Sequence, residues 1–212
     1  MCSVYEAPGY LCDNESMTSS AIPQADRRVV LIRHGQTNWN FEHRFQGQVD
    51  IPLNDTGRAQ AQEAAENLKN FALLEQKQNP HFEWEAVVTS PLSRAYETGE
   101  IIAQALGLNV SKTYDGMQER SFGDAEGVVV TPDIWNDLET RFTGLEPLED
   151  LRERGIVALN AALQEYAGKN LIIVAHGLWI AQIMTELTGK EMTSPLNAAI
   201  TELPLEPLEY RK

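Results

Sequence analysis

Three short apolar runs in this chain end in residues that can do chemistry. Val29-Val30-Leu31-Ile32 stops at Arg33-His34-Gly35, and Leu171-Ile172-Ile173-Val174-Ala175 stops at His176-Gly177. Ala86-Val87-Val88-Thr89 leads through Ser90-Pro91-Leu92-Ser93 to Arg94. A guanidinium group is charged at all working pH, and its fork matches two phosphate oxygens. A neutral imidazole is well populated at pH 7 and can attack an electrophile or hand over a proton. Two of each, gathered in one hollow, would bind an oxyanion and react with it. Each run has the length and residue types of a buried strand, and in open α/β sheets ligands bind at the carboxyl ends of strands. The four groups converge only if the three strands are neighbours. Ser90 reads as a helix N-cap, with Pro91 at the first helical position and Arg94 one turn in, near the positive helix end. Gly35 reads as the residue that lets the chain turn after the first strand. Each motif also has a plain structural reading: His34 and His176 as polar residues at strand ends, and Arg94 as a surface partner of Glu97 three residues on.

The elements that must position these groups follow from periodicity and breakers. Strands are expected over 29–32, 86–89, 109–111, 171–175 and near 199–203. One helix opens with Asn54 or Thr56 as cap and runs to about residue 74, carried by Ala61, Ala64, Ala65 and Leu68. Another carries Ala95, Ile101, Ile102 and Leu106 and stops at Gly107. A third starts near Pro147 and runs to Tyr166, and a fourth ends near Leu187. Residues 36–54 read as a polar loop. Residues 128–150 are the hardest to read and hold one short helix candidate with Trp135 and Leu138. Strands alternating with helices predict an α/β layered fold with a mostly parallel sheet. Residues 1–26 are polar and aperiodic and read as a flexible arm; Met17 is an alternative start. Residues 27–212 read as a single domain, with a small lid region near 128–150.

With 212 residues, 42% of them hydrophobic, the chain can bury one sizeable core. It has no apolar run of the 18 or so residues that a membrane span needs, and no secretory signal is visible. Cys2 and Cys12 lie ahead of the first strand, where they form neither a disulfide framework nor a zinc spacing. These features make the cytoplasm the expected location and exclude a membrane partner. Seventeen Lys+Arg stand against 31 Asp+Glu, a formal charge of -14. No basic stripe is available to displace counterions, so nucleic acid is excluded as a general partner. A cluster of Arg and His can still make a positive hollow in a negative surface. The negative surround slows capture of anions and favours those that fit closely.

Taken together, these blocks resemble the histidine phosphatase superfamily, which includes phosphoglycerate mutases and many small phosphatases. The resemblance runs from about Arg28 to about Leu203. It rests on Arg33-His34-Gly35-Gln36-Thr37 with Asn40, then Gln46-Gly47 and Asp50-Ile51-Pro52-Leu53, and Gly57. It continues through Ser90-Pro91-Leu92-Ser93-Arg94-Ala95 and Thr98, then Gln118-Glu119-Arg120-Ser121-Phe122-Gly123 with Glu126-Gly127, and Val174-Ala175-His176-Gly177. Several separated blocks in the family's order outweigh any one of them. The resemblance implies a phosphoglycerate mutase-like three-layer sandwich around a mostly parallel central sheet.

It also implies roles. His34 is the nucleophile that takes the phosphoryl group as phosphohistidine. Arg33 and Arg94 hold the phosphoryl oxygens, and His176 donates a hydrogen bond to them. Glu119 is the acid for the leaving oxygen, although Glu126 lies close by in sequence. Asn40, Gln46 and Gly47 belong to the phosphate pocket, and Arg44 and Arg120 are candidates to touch the rest of the substrate. His43 and His81 read as ordinary exposed histidines. No metal or cofactor is implied, because the arginines and histidines supply what a divalent cation would supply elsewhere.

The expected activity is hydrolysis of a small phosphorylated metabolite, such as a phosphosugar or phosphoglycerate derivative. The runner-up is a cofactor-dependent phosphoglycerate mutase, and a reading of another class is a non-catalytic phospholigand-binding module. The mutases carry Gly-Trp where this chain has Gly47-Gln48, which favours the phosphatase branch. Many such phosphatases carry Gly-Gly-Glu-Ser before the helix that precedes the last catalytic strand. Here the stretch reads Gly144-Leu145-Glu146-Pro147, with Glu146 in register.

Overall fold

A computed structural model describes residues 27–205, so the expected arm at 1–26, Met17, Cys2 and Cys12 lie outside the described residues. In chain order the elements are β1 (Val29–Arg33), α1 (Asn38–Phe41), α2 (Asp55–Glu75), β2 (Ala86–Thr89), α3 (Ser93–Ala105) and β3 (Val110–Thr113). They continue with α4 (Pro132–Asn136), α5 (Leu138–Arg141), α6 (Leu148–Glu165), β4 (Leu171–Ala175), α7 (Gly177–Thr188) and β5 (Ile200–Glu202). Among the described residues the strands form one sheet in the order β3-β2-β4-β1-β5. All pairings are parallel except β5 on β1. The strands that carry the motif residues, β2, β4 and β1, are contiguous, and their carboxyl ends lie on one edge.

Alternation along the strands explains the layers. Val29 and Leu31 of β1, with Leu171 and Ile173 of β4, face the core made with Leu159 of α6 and Ile183 of α7. Val30, Ile32, Ile172 and Val174 point the other way, against Leu68 of α2 and Ile102 of α3. With helices over both faces, β1 and β4 are buried along their length, which is why they read as unbroken apolar runs. A third, smaller cluster of Phe45, Phe122, Ala125 and Leu138 packs beside Leu178. The difficult region 128–150 belongs to it, and holds two short helices where one was expected.

Several expectations change at the residue level. The polar loop 36–54 contains α1, started by a capping box in which Thr37 and Asn40 exchange hydrogen bonds. Asn54, not Thr56, caps α2: its side chain accepts from the Gly57 N–H. Ser90 is not the cap of α3. That helix begins three residues later behind Leu92, and the Ser93 N–H is met instead by Asp50 Oδ1 at 2.8 Å. Gly35 does not adopt a left-handed turn. It is required by proximity, since a Cβ there would lie 2.3 Å from the Gly57 carbonyl oxygen at the start of α2. Among the described residues no helix is long and apolar enough to cross a membrane.

Candidate active site

Backbone ladders carry the strand-end residues to one place. The His34 N–H donates to the Ala175 carbonyl at 3.0 Å, and the Ser90 N–H donates to the Val174 carbonyl at 2.9 Å. His34 and His176 therefore stand side by side, ring centroids 5.2 Å apart. A cavity of about 140 Å³ opens there, lined by Arg33, His34, Asn40, Gln46, Arg94 and Glu119 among others.

His34 is buried, and its Nδ1 lies 2.7 Å from the carbonyl oxygen of Gly35. A carbonyl only accepts, so Nδ1 carries the proton and Nε2 keeps its lone pair. Burial pushes the pKa of this ring well below 6.5, and the positive charges of Arg94 and Arg33 push it the same way. The ring is therefore a neutral imidazole at pH 7 with a free nucleophilic nitrogen. His176 is also held neutral, first by burial and then by Arg94.

Neutral rings in place of charged ones have a consequence for stability. Below about pH 6.5 the unfolded chain takes up two protons that these buried rings refuse. The stability is fully present above that pH and is lost as the pH falls toward the depressed folded-state values, by about 1.4 kcal/mol per pH unit for each ring. Urea unfolding at pH 7.5 and pH 5.5 should show a clear drop in midpoint at the lower pH. Equal midpoints would contradict the assignment of both rings as buried and neutral.

The two arginines are anchored by carbonyl groups while keeping donors uncommitted. Arg94 is fully buried and donates through Nη1 to Val49 O at 2.9 Å and through Nη2 to Gly47 O at 2.7 Å. Arg33 donates through Nη1 to Pro195 O at 2.7 Å. In both, Nε is buried without a hydrogen-bond partner, and the same holds for Nδ1 of His176. An unsatisfied buried donor costs about 1–3 kcal/mol, so two guanidinium Nε–H groups on residues that line the cavity mark a place suited to an acceptor. Burial lowers the pKa of Arg94 to about 10, opposed by Glu119, Asp50 and Glu126, and the group stays charged at neutral pH. The alternative pairing of Arg94 with Glu97 does not form, because Glu97 takes Arg58 at 2.6 Å.

Asn40 and Gln46 present their donors for a related reason. The Asn40 oxygen accepts from Thr37 N–H and from Asn197 Nδ2, and the Gln46 oxygen accepts from Thr37 Oγ1 at 2.8 Å. With both acceptors engaged, the amide nitrogens are the ends left for an anion. Gly47 sits at φ +54, and a Cβ there would lie 1.9 Å from Glu126 Oε1. Glu126 accepts the N–H groups of Gln48, Val49 and Phe122, so it fastens the loop whose carbonyls hold Arg94.

Glu119 is the carboxylate that reaches the cavity. Oε1 accepts from Trp179 N and Arg120 N at 3.0 Å each, and Oε2 accepts from Leu178 N at 3.1 Å. It thereby caps α7, whose own N-cap residue His176 makes no side-chain cap. Its loop is clamped by Arg154, which donates to the carbonyls of Gly116, Gln118 and Glu119 and pairs with Glu146. Glu146 also accepts the Ser121 N–H, so it supports this loop from behind.

Arg44 lines the cavity, whereas Arg120 does not. The Arg120 guanidinium is buried against Glu139 and the Glu146 carbonyl, which corrects its expected contact with substrate. Apolar wall residues escaped the sequence reading. Phe45 and Trp135 stack at 5.9 Å and 10°, and Phe122, Val130 and Leu178 complete that side. The Pro195 carbonyl and Ser194 were missed as well. A backbone carbonyl leaves no trace in residue type, so no signal in the chain points to Pro195.

Comparison with known proteins agrees with this geometry. Residues 29–212 match the family described as the histidine phosphatase superfamily, branch 1. An uncharacterized phosphatase, PhoE, of Bacillus subtilis is 36% identical over 187 residues, covering 86% of this chain and 91% of its own. A mycobacterial glucosyl-3-phosphoglycerate phosphatase solved with VO3 superposes with a TM-score of 0.68 at 29% identity, covering 84% of this chain and 92% of that one. A phosphoserine phosphatase of Entamoeba histolytica solved with 3-phosphoglyceric acid gives 0.67 at 25% identity, covering 85% and 91%. The chain, with its paired histidines and anchored arginines at one sheet edge, belongs to the histidine phosphatase superfamily, branch 1.

Proposed function

We propose that this protein is a metal-independent phosphatase acting on small phosphomonoesters through a phosphohistidine on His34. The observation that carries the reading is a neutral imidazole with a free Nε2 beside two guanidinium groups whose buried Nε–H donors have no protein acceptor. Nε2 attacks phosphorus, the N–P bond forms, and the P–O bond to the alcohol breaks. Glu119 gives the departing oxygen a proton; its Oε2 has only one N–H donor and so keeps room for that proton. A water then loses a proton to Glu119 and attacks phosphorus, and the N–P electrons return to His34. Arg33, Arg94 and His176 hold the oxygens throughout, where charge builds in the transition state.

The small cavity suits a phosphoryl group with a compact alcohol, and the Phe45–Trp135 wall suits an apolar or planar one. The named activities of the structural relatives support small phosphorylated metabolites as substrates. The test is phosphate release from a panel of phosphosugars, phosphoglycerates, phosphoserine and aryl phosphates, run beside a phosphoglycerate isomerisation assay. Release should dominate. Isomerisation outpacing release would turn the reading toward a mutase, and neither reaction with retained phosphate affinity would leave a binding module.

A further inference from the structure

Ser90 stands at the end of β2, fully buried, with its hydroxyl oxygen 2.7 Å from Nε2 of His176. The same oxygen accepts the N–H of Leu92 at 3.3 Å. The helix-capping role that its neighbours Pro91 and Leu92 suggest is not the one it fills. What remains is a hydroxyl hydrogen and an imidazole nitrogen facing each other in a dry place.

Hydrogen-bond accounting decides which of them donates. If Nε2 carried the ring proton, Ser90 Oγ would accept from both Nε2 and Leu92, and its own O–H would have no acceptor. A buried hydroxyl without an acceptor costs about 1–3 kcal/mol. If instead the Ser90 O–H donates to Nε2, the hydroxyl is matched and only the Nδ1–H lacks a protein acceptor, one unmet group in place of two, the Ser90 O–H and the Nδ1 lone pair. The ring proton then sits on Nδ1, the nitrogen that is buried without a partner and that alone on the ring is left to meet a phosphoryl oxygen. Which nitrogen of an imidazole holds the proton is set by the hydrogen bond that the other one makes.

We propose that Ser90 is a positioning residue that holds His176 in its Nδ1–H form, so that a neutral ring donates to the phosphoryl group. The assignment rests on the phosphatase reading for its consequence in turnover, but not for the tautomer itself. It gives His176 a defined part. With its charge suppressed by burial, the ring acts through one directed N–H rather than as a cation. Without Ser90 the proton is free to settle on Nε2, and Nδ1 then presents a lone pair to an anion.

The test uses the full chain with ¹⁵N-labelled histidine and long-range ¹H–¹⁵N correlation spectra at neutral pH. The wild-type protein should show His176 protonated at Nδ1 and bare at Nε2. Ser90→Ala should shift the proton toward Nε2 and lower kcat about ten- to a hundredfold, with KM little changed. Ser90→Thr, which keeps the hydroxyl, should restore the Nδ1–H signature and most of kcat. A wild-type spectrum with the proton on Nε2 would overturn the assignment even if Ser90→Ala failed to fold. So would a folded Ser90→Ala protein with unchanged tautomer and unchanged kcat. A wild-type protein with Nδ1–H but no phosphate release would sink the phosphatase reading and leave the tautomer assignment standing.

Discussion

His34→Ala is expected to lose phosphate release by a factor on the order of 10⁶, the scale seen when a covalent nucleophile is removed from a hydrolase. The reason is local. Nδ1 is committed to the Gly35 carbonyl, which aims Nε2 at the cavity, and the pressure of burial with two nearby guanidinium groups keeps that nitrogen unprotonated. No other described nucleophile stands in this arrangement, since His176 Nε2 is held by Ser90. The fold should survive, because the ring's hydrogen bond is to the carbonyl of its own neighbour Gly35 and Arg33 and Arg94 keep their carbonyl anchors. The variant should still bind inorganic phosphate by calorimetry. In the wild-type protein, alkaline quench during turnover followed by peptide mass analysis should place a phosphoryl group on His34. A variant that kept turnover within an order of magnitude of wild type would end the nucleophile assignment.

Arg94→Lys is expected to lower kcat about 10²- to 10³-fold, a loss of about 3 to 4 kcal/mol of transition-state stabilisation. Charge is retained, so a simple count of positive groups predicts little change. Geometry predicts otherwise. The guanidinium meets the Gly47 and Val49 carbonyls with Nη2 and Nη1 and still has Nε–H and further N–H groups to offer. An ammonium has three donors on one atom and cannot span two carbonyls and two phosphoryl oxygens together. Complete burial removes the water that would otherwise fill in. Steady-state kinetics with the best ester of the substrate panel measures the effect. A kcat within a few-fold of wild type would show that Arg94 serves the 47–49 loop and not the reaction.

Much of this could be read from residue order. The apolar runs of β1, β2 and β4 are nearly unbroken because helices cover both sheet faces, and that burial is written directly into residue type. The ends of those runs place Arg33, His34 and His176, so their gathering at one sheet edge was legible once the strands were taken as neighbours. The long helices were legible too, apart from a cap misassigned at Ser90. Short elements were not: α1 is four residues held by a Thr37–Asn40 capping box, and α4 and α5 owe their place to a small cluster around Phe45 and Phe122. Their own sequences contain too little periodicity to show it.

By itself, then, the sequence determined the mostly parallel architecture, the family and which arginines and histidines end the central strands, because hydrophobic periodicity and strand-end motifs are local properties of the chain. Only the tertiary structure decided how those groups are held. Ser90 meets His176 across 86 positions and Arg33 meets the Pro195 carbonyl across 162. Glu119 caps a helix 60 positions away, while Glu126 fastens the 47–49 loop. Such contacts are made between distant segments, often to backbone atoms that every residue possesses. They exist only after the sheet has brought its ends together.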